Sequence, residues 1–196
     1  MTTHHDPFAP IAPKHKTIES ITNLSLKEEV FGLTGDQSTT VKDKKTKKVL
    51  YKIGKSSTFF TGHRRILKDV NGREIGQFRR SRMPGIHKSY FIGINNDEKR
   101  CSIRLKQLGD VTHRHADIYL GEDIIGEAFG ADWKEKKFEI KIKDKVVANV
   151  YKTLDKNVKG FLHEDDFCMD ITSEGVDTAF ITMITLALDE LYQDKM

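Results

Sequence analysis

Eight basic residues fall between Thr61 and Lys88, and only Asp69 and Glu74 oppose them. The basic set is Arg64, Arg65, Lys68, Arg73, Arg79, Arg80, Arg82 and Lys88. Arginine at this density suits phosphate, because the planar guanidinium fork bonds two oxygens at once. Arg64, Arg65, Arg79, Arg80, Arg82 and Lys88 therefore form a candidate headgroup-binding set. A turn at Val70 and Asn71 would carry Arg64 and Arg65 back beside Arg79 and Arg80. Successive strand residues point to opposite faces, so only one Arg of each pair need share a surface. The competing reading is an ordinary solvated strand face. Two lysine runs raise the same choice. Lys42, Lys44, Lys45, Lys47, Lys48 and Lys52 crowd one segment, and Lys134, Lys136, Lys137, Lys141, Lys143 and Lys145 crowd another. Near an anionic membrane each charge contributes about 1 kcal/mol. Alternatively the lysines serve solubility and protect strand edges.

Other chemistries find less support. His113 and His115 fit one strand face, but no Cys or third His lies close in sequence to complete a metal site. His163 precedes Glu164, Asp165 and Asp166, a set that would hold a cation only loosely. No metal and no cofactor is expected. No GxSxG, Walker, GxGxxG or HExxH motif occurs, so no enzyme is expected. The rival is an enzyme whose site is assembled from distant residues. A basic groove with interleaved aromatics is not evident, which argues against nucleic acid. Trp133, the single Trp, fits a core plug or an interface aromatic. Cys101 and Cys168 make neither a disulfide framework nor a CxxC pair, which favours a reducing, cytoplasmic setting. The N-terminus lacks the apolar core of a signal peptide.

The elements that must position these groups begin at the other end of the chain. Residues 176–192 read as a helix apolar almost all round: Phe180, Ile181, Met183, Ile184, Leu186, Leu188 and Leu191 surround one stripe of Thr178, Thr182, Thr185 and Asp189. Such a helix must be enclosed. Its Thr hydroxyls tolerate burial by bonding the carbonyl a turn back. About sixteen residues give about 24 Å, short of the roughly 30 Å hydrocarbon core of a membrane. No Lys or Arg lies between Lys159 and Lys195 to flank a span.

What encloses the helix is a series of hairpins. Val41 and Val49 flank a turn at 43–46, and Leu67 and Ile75 flank one at 69–72. Ile118 and Ile124 flank one at 121–123, and Ile140 and Val146 flank one at 143–145. Each shows period-two alternation bounded by Asp, Asn, Gly or Lys. One-sided strands need a core, and the helix needs cover on most sides. The expected fold is therefore mainly β: a closed antiparallel β-barrel of about twelve strands around a central hydrophobic C-terminal α-helix. Residues 1–22, with Pro7, Pro10 and Pro13, read as a disordered tail, and 23–196 as one barrel domain.

The pattern resembles the LURP-one-related family of the tubby C-terminal-like superfamily. The residues that carry the resemblance are the segment Val30 to Asp36 and the two early hairpins. To these add Phe167-Cys168-Met169-Asp170-Ile171-Thr172 and the helix opening at Gly175-Val176-Asp177-Thr178-Ala179. It spans about residues 24–192. Glu174 stands where the family often has Pro before that glycine. The resemblance implies a twelve-stranded barrel about a C-terminal helix. It also implies kinship with phosphoinositide-binding tubby proteins and with phospholipid scramblases. The expected function is a monomeric, non-enzymatic binding or scaffold protein of the cytoplasm that visits membranes through anionic phospholipids. The alternative is a protein-interaction module that meets protein partners through residues 83–88 and the Pro-containing tail.

Overall fold

The computed structural model describes residues 22–31, 36–56, 64–81, 89–94, 97–106, 114–132, 137–153 and 166–193. The Pro-containing stretch up to residue 21, Arg82, residues 83–88, Trp133, His113 and the 163–165 segment lie outside them.

The chain runs through β1 (Thr22–Phe31), β2 (Asp36–Asp43), β3 (Val49–Ser56), β4 (Arg64–Asp69), β5 (Glu74–Arg80) and β6 (Ser89–Ile94). It continues through β7 (Asp97–Leu105), β8 (Arg114–Leu120), β9 (Asp123–Asp132), β10 (Lys137–Ile142), β11 (Lys145–Thr153) and β12 (Asp166–Ile171), then closes with α1 (Thr178–Gln193). The strands form one antiparallel sheet in the order β1-β12-β11-β10-β9-β8-β7-β6-β5-β4-β3-β2. β1 pairs with β12 on one side and with β2 on the other. The four hairpins read from alternation are β2–β3, β4–β5, β8–β9 and β10–β11.

Alternation decides which face meets the helix. Val41, Ile53, Leu67, Phe78, Ile92, Ile103, Ile118, Ile140, Val150 and Met169 are buried in one core with α1. Along α1, Ala179, Ile181, Met183, Ile184, Ala187, Leu188 and Leu191 are all buried in that same core, on every side of the axis. Gly76 permits a close approach of α1: a Cβ there would stand 2.9 Å from Met183 Sδ and 3.1 Å from Gly93 O. The sheet face turned toward α1 is called inner below, the other outer.

The helix begins two residues later than the apolar pattern suggests, because Asp177 caps it. Its Oδ1 accepts from the amides of Ala179 (2.9 Å) and Phe180 (3.2 Å). That satisfies donors that would otherwise be stranded in a buried end. Tyr51 reaches from β3 to hydrogen-bond the Thr178 hydroxyl. Burial pushes its phenol far above the ordinary tyrosine range, against the lowering effect of that hydrogen bond. The threonine stripe divides. Thr182 Oγ1 donates to the Thr178 carbonyl at 2.8 Å, the expected back-bond. Thr185 Oγ1 is buried with no hydrogen-bond partner.

An unmatched buried hydroxyl costs free energy that an isosteric methyl does not. Thr185→Val is therefore expected to stabilise the fold by about 1 kcal/mol. Thermal unfolding followed by circular dichroism should rise by roughly 2–4 °C for a chain of this size. A lower midpoint would show that the hydroxyl is matched after all.

Candidate anion-binding face

The turn at residues 70–73 folds β4 back on β5, and Asp69 organises it. Its Oδ1 accepts the amides of Asn71 and Arg73, each at 2.9 Å. The Asp69 carbonyl accepts the Gly72 amide at 3.0 Å, with Gly72 at a φ of 81° that favours glycine. This register sets Arg64 directly opposite Arg79 and Arg65 directly opposite Phe78. Phe78 belongs to the core, so the arginines are sorted by face. Arg64 and Arg79 are on the outer face. Arg65 and Arg80 are on the inner one, Arg80 opposite the buried Tyr90.

Of the six residues singled out from sequence, the structure thus brings together two. Arg65 projects to the face opposite Arg64, where its guanidinium pairs with Glu190 of α1. Arg80 lies on the face of Arg65, not of Arg79. Arg82 and Lys88 lie outside the described residues.

The outer face supplies two further cations that the sequence set left out. β3 pairs with β4 so that Lys52 stands opposite Lys68, on the same face as Arg64. Both lysines are exposed. Three rows of residues therefore cross the outer face of β3, β4, β5 and β6. Lys52 and Lys68 make the first. Gly54, Ile66, Gln77 and Gly93 make the second. Arg64, Arg79 and Phe91 make the third. Like charges directly opposite each other across strands are destabilising, and this face holds two such pairs. Among the described residues Glu74 offsets them in part: it stands opposite Lys68 and lies 3.6 Å from Arg64 Nη2.

Beneath these arms the polar accounting does not close. Gln77 is 3% exposed, and its Oε1 has no hydrogen-bond partner. Arg64 Nε is also buried without an acceptor. Cations held together over the unmatched Arg64 Nε and Gln77 Oε1 make this face the candidate site for an anion that can also donate a hydrogen bond.

Elsewhere several charged and polar groups pair with one another. Lys44 reaches from the β2–β3 turn to Tyr151 on β11, with Nζ 3.5 Å from the phenol oxygen and 5.7 Å from the ring centre. Burial alone would lower the Lys44 pKa, but the neighbouring Cys168 and Tyr151 raise it on balance. His115 Nε2 lies 2.8 Å from Glu127 Oε2 and 3.8 Å from Asp117 Oδ1, and Lys141 Nζ stands 3.5 Å from Glu127. Asp117 and Glu127 are direct cross-strand neighbours, and Lys106 and Lys141 relieve their repulsion. Among the described residues no group of three or more His, Cys, Asp or Glu side chains is arranged to hold a metal ion. Cys101 and Cys168 are both free and buried. Among the described residues no helix is long and apolar enough to cross a membrane.

The family model described as LURP-one-related matches residues 22–189. No curated protein matches the chain.

Proposed function

The chain belongs to the LURP-one-related family, and we propose that it is a non-enzymatic binding protein that docks reversibly on anionic phospholipid headgroups. On this reading it works as a monomer in the cytosol. The sheet is a barrel closed about α1, a reading supported by the pairing of β1 with both β12 and β2. The observation that carries the function is the outer face of β3, β4 and β5, where Lys52 opposes Lys68 and Arg64 opposes Arg79. Folding alone gives no reason to set like charges opposite each other twice on one face. A phosphate between the arginines turns that repulsion into charge-assisted hydrogen bonds. Glu74 holds the place of the anion in the free protein, and a headgroup displaces it from Arg64. The implied kinship with phosphoinositide-binding tubby proteins points the same way.

Vesicle sedimentation tests the proposal. Wild type should pellet with vesicles that contain phosphatidylserine or phosphoinositide and not with pure phosphatidylcholine. Binding should weaken with salt, because exposed charges are screened beyond about 8–10 Å. The double variant Arg64→Gln, Arg79→Gln should lose roughly thirtyfold in affinity, at about 1 kcal/mol per charge. Glu74→Gln should bind more tightly than wild type. Equal, negligible pelleting on every vesicle would reject the lipid reading and leave a protein-interaction module in its place.

A further inference from the structure

We infer that the occupant of this basic face is the extended surface of a bilayer leaflet, and that Val70 at the β4–β5 tip enters it as an apolar wedge. The inference rests on the anion-binding reading above and adds a pose to it. Spacing argues for a surface. Lys68 and Arg64 are four residues apart on β4, about 13 Å at 3.3 Å per residue. One phosphate group cannot touch both charge pairs at that separation, whereas a sheet of headgroups can. The next hairpin tip along, β2–β3, extends the array with exposed Lys45, Lys47 and Lys48.

Val70 supplies the apolar part. Among the described residues the exposed large hydrophobic side chains are Val70, at 53%, and Ile124, at 60%. Isolated exposed apolar residues are ordinary, so setting must decide. The β4–β5 and β8–β9 hairpins turn at the same end of the sheet, since strands alternate in direction along it. The Val70 turn is pinned by the three hydrogen bonds to Asp69, so its side chain is held out at no further ordering cost on binding. Turns favour Gly, Asn, Asp, Ser or Pro at such positions, and nothing in this turn requires valine. Lys68 and Arg73 flank Val70. The acids of its own hairpin are engaged, Asp69 with the turn amides and Arg73, and Glu74 with Arg64. Ile124 instead follows exposed Glu122 and Asp123, which an anionic leaflet repels. Charge therefore selects the Val70 tip and rejects the Ile124 tip, which gives the test its internal comparison.

An environment-sensitive fluorophore on Val70→Cys, and separately on Ile124→Cys, reads the pose directly, because both native cysteines are buried. On phosphatidylcholine vesicles containing phosphatidylserine, the Val70 probe should shift to the blue and be quenched by spin-labelled lipid chains. The Ile124 probe should do neither. Val70→Thr, nearly isosteric, should weaken pelleting roughly fivefold, and Val70→Phe should strengthen it. A Val70 probe that stays water-like on vesicles that do pellet the protein overturns the wedge and leaves charge-driven docking intact. Equal blue shifts at both tips overturn the selection by charge. Binding to soluble inositol hexakisphosphate without pelleting on anionic vesicles overturns the bilayer as occupant. Failure of wild type to bind either probe rejects the anion-binding reading itself.

Discussion

Ile184→Asp is expected to abolish folding. Ile184 sits at the middle of α1 and is 0% exposed. A carboxylate there is set into a core cluster of apolar side chains from the sheet and α1. The group either stays charged at a cost of many kcal/mol or takes a proton and still leaves polar oxygens unmatched. The isoleucine's own burial, worth about 1.5–3 kcal/mol, is lost as well. Total stability of a domain is about 5–15 kcal/mol, so the sum removes most or all of it. Circular dichroism and gel filtration of the expressed variant would check this. Leu188→Asp should behave alike, since Leu188 is also 0% exposed. Soluble protein with the wild-type melting temperature would mean that α1 is not at the centre.

The burial of α1 was legible in the residues themselves. A helix with Phe180, Ile181, Met183, Ile184, Leu186 and Leu188 on all sides can only be enclosed, and hairpins such as Phe138-Glu139-Ile140-Lys141-Ile142 have one dry face to enclose it with. The turns were legible because Asp, Asn and Gly mark them, as Asp69 and Gly72 do. β6 and β7 were not. In β6, Tyr90, Phe91 and Ile92 are consecutive apolar residues, since Phe91 is half-buried on the outer face and hides the period of two. β7 opens on Asp97-Glu98-Lys99-Arg100, and its inward alternation of Cys101, Ile103 and Leu105 starts only after those charges.

The site was legible as charge and turn, not as a set of ligands. Sequence can say that neighbouring arginines divide between two faces, but not which member of each pair faces out. That depends on the register, which the Asp69 turn and the bulge between Leu67 and Lys68 fix together. Lys52 was missed for a related reason. It looked like part of the lysine run of the first hairpin, while strand pairing places it opposite Lys68. Gln77 gave no signal at all. A single glutamine becomes informative only once its burial and its unmatched oxygen are known.

Arg65→Ala separates the two arginine faces, and it is expected to cost about 3 kcal/mol of stability while leaving vesicle binding unchanged. Arg65 and Glu190 form an ion pair whose side chains are only 18% and 13% exposed. Glu190 stands in the last turn of α1, where the helix dipole is negative and a carboxylate is unfavourable. That last turn carries no basic residue of its own, so Arg65 brings the needed cation from the sheet. Removing it leaves Glu190 desolvated against the dipole. Breaking a fully buried pair costs about 3–5 kcal/mol, and the residual exposure here places the effect at the low end. The melting temperature should fall by about 10 °C for a chain of this size. Arg65→Ala combined with Glu190→Gln should recover much of the loss, because the stranded charge is then gone. Arg64→Ala should show the opposite pattern, with stability changed by less than about 0.5 kcal/mol and weaker pelleting on anionic vesicles. If Arg65→Ala kept its melting temperature and lost vesicle binding, Arg65 would be a headgroup ligand, and the inward ion pair to Glu190 would not be what holds it.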